Sequence, residues 1–432
     1  MLSTTKGCNN LSLAGNIDIG GIGMDSLLDR FLRYVKIDTQ SAEDSGSHPS
    51  TPGQMELARL LEGELRELGL INIALSDKGY LMAELAANTD KDLPTVGFIA
   101  HLDTSPEVSG KGVKPLLFPN YEGNDLVLNQ AENLVIKVQD YPELRDYVGQ
   151  TVITSDGSTL LGADDKAGIA AIMAALAQIK GSPDMVHGRM VVAFTPDEEI
   201  GQGADLFDVA RFGADFAYTV DGGPRGELEY ETFNAAIAHI DIKGINVHPG
   251  SAYLRMQNAI LIAMELNDLL PAHERPEYTR DYEGFYHLNK MEGTVESTRM
   301  TYIIRDHDRG KFAQKKAYLQ SCVDFLHEKY SGAAIHLHLQ DQYYNMKERI
   351  EPHFHIVSLA EQAMREKGIN PLIKPVRGGT DGARLSFMGL PCPNIFSGGH
   401  NFHSRYEFIS LESMQAASQV IVKIVQLAAA QG

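Results

Sequence analysis

Tryptophan is absent from the 432 residues, and cysteine occurs only three times, at Cys8, Cys322 and Cys392. An odd and widely spaced set makes no disulfide framework, so a reducing cytoplasm is the expected compartment. No apolar run reaches the roughly 18 residues that a membrane-spanning helix needs, and no membrane association is expected. Basic residues are also scarce. Thirty-eight Lys and Arg stand against 57 Asp and Glu, a formal charge of −19. Nucleic acid and anionic membranes both require basic surface, so neither is an expected partner. No internal repeat or low-complexity stretch is evident. What is present is the composition of a globular chain, 43% hydrophobic and 22% charged, and too long for one ordinary core.

Residues 1–23 are rich in Gly, Asn and Ser and carry no apolar segment of signal-peptide length. They read as a disordered leader or an expression remnant, outside the fold. From Asp25 onward, Leu28, Phe31, Leu32 and Val35 recur at helical spacing. Thr51-Pro52-Gly-Gln54 has the form of a capping box with proline at the first helical position. Apolar strands are expected at 71–75, 81–85, 95–100, 190–194 and 216–220, with an Ala-rich helix at 165–180. This alternation predicts an α/β fold: a mixed, largely parallel sheet flanked by helices.

Near residue 232 the pattern changes. A half-exposed strand at 236–243 is followed by a helix at 256–270, a strand at 300–305, a helix at 310–330 and a strand at 334–339. The reading is a small α+β unit, an antiparallel sheet with two helices on one face, of the lid or dimerisation type. From about 345 the first style returns, with helices at 355–367 and 411–429. The expected organisation is therefore a catalytic domain of residues 24–231 plus 345–432, interrupted by an inserted domain of residues 232–344.

Five short segments carry the chemistry. His101-Leu-Asp103 follows a buried strand. A neutral imidazole binds zinc, and a carboxylate two residues on can fix its tautomer. Asp164-Asp165 precedes a helix, where a helix cap and a metal-bridging carboxylate both fit. Glu198-Glu199 and Asp221-Gly-Gly lie at strand ends, on the rim where ligands of such sheets sit. If one glutamate binds metal, the other must stay off it to move protons. His403, with His400 as a competitor, supplies the last nitrogen. Together these are ligands for two metal ions sharing a carboxylate, with a base left over, and they point to a metal-activated water and a hydrolase. Arg305 and Arg377 are candidates to clamp a peptide's carboxylate, because guanidinium binds carboxylate bidentately. His336 and His338 alternate on one strand face and could bind a metal, but no third ligand is evident. His353 and His355 open a helix. Both pairs read as structural or surface residues.

From about residue 24 to 430 the chain resembles the co-catalytic dizinc metallopeptidases, the family of carboxypeptidase G and succinyl-diaminopimelate desuccinylase. Within it the chain is most similar to the tripeptide aminopeptidases. The resemblance is carried by Phe-Ile-Ala-His101-Leu-Asp103-Thr-Ser, Leu-Leu-Gly-Ala-Asp164-Asp-Lys-Ala-Gly, Ala-Phe-Thr-Pro-Asp-Glu198-Glu199, Tyr-Thr-Val-Asp221-Gly-Gly, Asn-Val-His248-Pro-Gly, Tyr-Ile-Ile-Arg305-Asp and Arg377-Gly-Gly-Thr-Asp-Gly-Ala. It implies two Zn2+ per subunit, one held by His101, Asp164 and Asp221, the other by Asp164, Glu199 and His403. It further implies that Asp103 orients His101, that Glu198 is the general base and acid, and that a cis peptide follows Asp164. His248 would approach the scissile carbonyl when the domains close, in some relatives from a partner subunit, and donate to the oxyanion. The implied substrates are short peptides, mainly tripeptides with a free N-terminus.

A dipeptidase, carboxypeptidase or N-acyl amino acid deacylase would share every metal motif, and only the whole-chain resemblance separates them. A non-catalytic peptide-binding protein would be expected to have lost a ligand or the base, and here all are filled. The inserted unit could pair edge strands into a homodimer or close on a monomer.

Overall fold

The computed structural model describes residues 26–431, so the expectation for residues 1–23 lies outside the described residues. The central layer is an eight-stranded sheet. Its order is Ile71–Leu75, Leu81–Leu85, Met190–Thr195, Val96–His101, Phe216–Gly222, Asn394–Phe396, Glu227–Glu229 and Leu372–Ile373. The four strands in the middle, from Met190–Thr195 to Asn394–Phe396, run parallel. The antiparallel pairings lie toward the edges. Val96–His101 and Met190–Thr195 are buried at every residue, as expected for parallel strands covered on both faces.

One face packs against the helices Leu27–Tyr34, Pro52–Glu67, Ala163–Lys180, His355–Glu366 and Leu411–Ala430, which supply the largest apolar cluster. The Ala-rich helix lies close to the sheet, and Gly168 makes this possible. A Cβ there would collide with the Val220 carbonyl oxygen and with Asp165 Oδ1. The opposite face is covered by a smaller cluster that includes Phe207, Phe212, Leu385 and Cys392. Segment 105–150, expected as loops and edge strands, contributes short strands to a four-stranded and a two-stranded sheet. The short helix Asp381–Phe387 and the strand Phe285–Gly293 were not foreseen.

The capping box expected at Thr51 and Gln54 is not formed in that way. Thr51 is the N-cap of Pro52–Glu67 but makes no side-chain cap bond. Gln54 is fully buried. Its amide donates to Asp197 Oδ1 at 2.6 Å and its carbonyl accepts from the Asp197 N–H at 3.0 Å. A buried amide and a buried carboxylate satisfy each other here, which outweighs a solvent-facing cap.

A second four-stranded sheet is wholly antiparallel, in the order Phe285–Gly293, Ser297–Asp306, Asn234–Lys243, Ala334–Tyr343. The helices Ala259–Leu269 and Arg309–Lys329 cover one face and build a separate core around Ala236, Ala238, Ile240 and Ile242. The chain enters this sheet and leaves it at one place. Thr232 N–H donates to Asn345 Oδ1 at 3.0 Å, Met346 N–H to Thr232 Oγ1 at 3.1 Å, and Asn345 N–H to Asn234 Oδ1 at 3.1 Å.

Candidate metal centre

Three parallel neighbours deliver the site to one rim. His101 is the last residue of its strand, Asp221 lies at the end of the adjacent strand, and Glu198–Ile200 is a turn of 3-10 helix just after Met190–Thr195. Asp164 precedes the regular part of its helix, with non-helical φ/ψ, and the Asp164–Asp165 peptide is cis. His403 sits between the short strands Gly399–His400 and Phe408–Ser410, with φ of 60°.

Asp164 faces both ways. Its Oδ1 lies 2.9 Å from His101 Nε2, and its Oδ2 lies 3.3 Å from His403 Nε2. Asp221 Oδ1 is 3.4 Å from His101 Nε2, and Glu199 Oε2 is 2.8 Å from His403 Nε2. Two groups result, His101 with Asp164 and Asp221, and Asp164 with Glu199 and His403. In each, one ligand atom per residue lies within 4.8 Å of the others. The five residues expected as ligands are thus brought together.

The electrostatics call for cations. Burial alone would lower His403, but hydrogen bonds to Asp164 and Glu199 overcome it and push the imidazole up to about 11. His101 is likewise held well above its ordinary value, against burial, first by the Asp221 charge and then by hydrogen bonds to Asp103, Asp164 and Asp221. Burial raises Glu199 to about 8 and Asp221 to about 6. The buried Glu199 Oε1 has no hydrogen-bond partner. Crowded carboxylates, two imidazoles drawn toward protonation and an orphan oxygen fit two divalent ions with nitrogen and oxygen ligands.

Around this cluster stands a buried supporting layer. Asp103 does more than steady the imidazole. His101 Nδ1 is 3.0 Å from the Asp103 backbone oxygen and 3.4 Å from Oδ1. The same carboxylate accepts the N–H groups of Glu198 and Glu199 at 3.0 and 3.1 Å, and so sets the turn that carries them. Sequence reading missed several other members of this layer. Glu407 accepts from the N–H groups of Leu161, Gly162 and Asp164 and fixes the Asp164 loop. Asn394 Oδ1 accepts from Asp221 N–H at 3.1 Å. Asp381 accepts from Thr195 Oγ1 at 2.7 Å, and burial pushes it up to about 7. The Thr-Asp-Gly motif could have flagged Asp381, whereas Glu407 and Asn394 carry no local signal.

Glu198 is shifted well above the ordinary carboxylate range, first by burial and then by the Asp221 charge. Its charge acts on Tyr343, also unforeseen. Burial raises this phenol, Arg305 lowers it, and the Glu198 charge raises it further. The Arg305 guanidinium lies 5.5 Å from the Tyr343 ring centroid and donates Nη1 to the carbonyls of Ala236 and Ile304 at 3.2 and 3.1 Å. Arg377 is otherwise engaged. It donates to the Asp281 and Glu283 carbonyls and to Thr279 Oγ1, all at 2.9 Å, and lies over the rings of Phe233 and Phe285. His248 is exposed, accepts the Gly250 N–H at 3.1 Å and is in neither metal-binding group. His400, the competitor of His403, is 2.5 Å from the Tyr147 hydroxyl and stacked on Phe408. Burial pushes it down to about 4, and it stands apart from the two groups.

Residues 155–427 match the model of peptidase family M20/M25/M40. The chain belongs to this family and is a metal-dependent peptidase. Among its relatives is peptidase T of Clostridium novyi, 56% identical over 94% of this chain and 99% of that protein. Peptidase T of Geobacillus thermodenitrificans is 56% identical over 93% and 98%. In fold the chain is similar to aminopeptidase PepT of Bacillus cereus, with a TM-score of 0.73 and 22% identity over 93% of this chain and 98% of that one. A tripeptidase of Staphylococcus aureus gives a TM-score of 0.75 at 21% identity over 94% and 98%.

Proposed function

We propose that this chain is an aminopeptidase that releases the N-terminal residue of tripeptides, with two zinc ions at the rim. The observation that carries the reading is the two-sided Asp164, one oxygen toward each histidine. The near-full-length similarity to peptidase T supports the substrate class. One ion would be held by His101, Asp164 and Asp221, the other by Asp164, Glu199 and His403. Bound there, zinc supplies Lewis acidity that acidifies water and polarises a carbonyl.

The side chains do the rest. Glu198 is off both groups and half-buried, and it takes the proton of the attacking water and hands it to the departing amine. Asp103 holds the Glu198 turn at the working distance. Arg305 receives the peptide's terminal carboxylate, and we assign it this role in preference to Arg377, whose donors hold the 279–283 segment. His248 donates to the oxyanion once the inserted unit, residues 232–344, closes over residues 24–231 and 345–432. An extended tripeptide spans only about 10 Å, so anchors at both ends can measure its length. A cytoplasmic location agrees with Cys322 and Cys392, both free and buried. A homodimer through an edge strand of the inserted sheet is part of the same reading.

The test compares wild type with Glu198→Ala for release of the N-terminal residue from a free tripeptide, with and without added zinc. Zinc-dependent release that the substitution abolishes while bound metal persists is the expected result. A zinc-replete wild type that cleaves N-acetylated or dipeptide substrates instead would transfer the site to a sister specificity.

A further inference from the structure

The antiparallel sheet has a second face, away from its two helices. On the strand Asn234–Lys243, Ala238, Ile240 and Ile242 enter the helix-covered core, so His239 and Asp241 point to the open side. On Ala334–Tyr343, Ile335, Leu337 and Leu339 pack toward the same core, and His336 and His338 are exposed on the open side. The register sets His239 directly opposite His338, and Asp241 directly opposite His336. Side chains so paired have Cβ atoms about 4.5–5.5 Å apart, within reach of one ion. The third ligand that the sequence of His336 and His338 lacks thus comes from the neighbouring strand.

The details suit coordination. His239 Nδ1 lies 3.1 Å from Thr301 Oγ1. With Nδ1–H donating to that hydroxyl, Nε2 keeps its lone pair, the arrangement by which a neighbour orients a ligating imidazole. Neither His336 nor His338 has a hydrogen-bond partner among the described residues. Asp241 is held by Arg299, whose Nε donates to Oδ1 at 2.6 Å, which leaves Oδ2 for a ligand. Its carboxyl is lowered first by that hydrogen bond, and the charges of His239 and His336 add to the effect. As placed, their ligand atoms do not converge as those of the two rim groups do; turned toward one another, three imidazoles and one carboxylate would supply an N3O set, the donor type and number that zinc takes.

We propose that His239, His336, His338 and Asp241 form a further site for a divalent transition-metal cation of the zinc type, on the open face of the inserted sheet. It is separate from the rim. His239 lies four residues along its strand from Ala235, which pairs with Arg305, or about 13 Å at strand rise. The exposed imidazoles must turn inward to bind, and this ordering makes the site weaker than the preassembled rim.

Zinc itself is the probe, because it cannot displace zinc from the rim. Full-length protein already saturated with Zn2+ at the rim is titrated with more Zn2+ by calorimetry, alongside His239→Ala/His338→Ala. Wild type is expected to take up one further equivalent per chain, and the double variant none, with peptidase activity equal in both. His353→Ala, a control outside the cluster, should keep the extra equivalent. Equal uptake by wild type and double variant, or no uptake by wild type beyond the rim, would overturn the proposal. Matching thermal unfolding of all three proteins excludes misfolding as the cause of a loss.

Discussion

Asp103 shows how much one buried carboxylate can organise. It lies beside His101 and accepts two consecutive N–H groups from the Glu198 turn. Asp103→Asn keeps the shape but turns one acceptor oxygen into a donor facing an N–H. A fall in kcat of about 10–100-fold, with KM little changed, is expected from steady-state kinetics on a tripeptide. His400 offers a pH test. Its folded-state pKa of about 4 lies below the ordinary histidine value, so on acidification the unfolded chain takes up the proton first. Its contribution to stability is complete above the unfolded value of about 6.5 and is lost as pH falls from there toward about 4. Urea unfolding of metal-free His400→Gln should therefore show a flatter decline than wild type across that window. The candidate ligands could be picked out because each lies at or near the end of an apolar run. The choice between His400 and His403 was not, because two histidines three residues apart differ only in what the fold packs around them: Tyr147 and Phe408 around one, Asp164 and Glu199 around the other.

At the level of elements, apolar runs and helical periodicity located the buried strands and the long helices to within a few residues. Phe285–Gly293 escaped because most of it is exposed, at the edge of its sheet, and Asp381–Phe387 because seven residues carry too little periodicity to read. The start of Pro52–Glu67 was read as a local cap, yet Gln54 serves a contact 143 residues away in the chain. That contact joins the helix to Asp197, which also accepts from Ser50 N–H at 2.8 Å and leads into the Glu198 turn. Gln54→Ala leaves a buried carboxylate short of a donor, and a loss of about 1–3 kcal/mol is expected in urea unfolding. Gln54→Glu should cost more, because it sets two carboxylates together in a buried place.

For the molecule as a whole, the antiparallel sheet and the rim are linked electrostatically, because the Glu198 charge acts on Tyr343, over whose ring Arg305 lies. Neither half alone holds both the hydrolytic rim and the proposed carboxylate anchor. Arg305→Ala should raise KM for tripeptides and narrow their advantage over tetrapeptides, measured as kcat/KM across a set of free and N-acetylated di-, tri- and tetrapeptides. Unchanged length selectivity would remove Arg305 from the proposed anchor. The chain enters and leaves the antiparallel sheet through one small junction, where Thr232, Asn234, Asn345 and Met346 hold one another. A segment whose two ends meet in this way could be gained or exchanged by a single in-frame genetic event, since the host layer needs no rerouting to accept it. Heredity can thus treat the antiparallel unit as a cassette, exchanging it while leaving the candidate metal centre as it was.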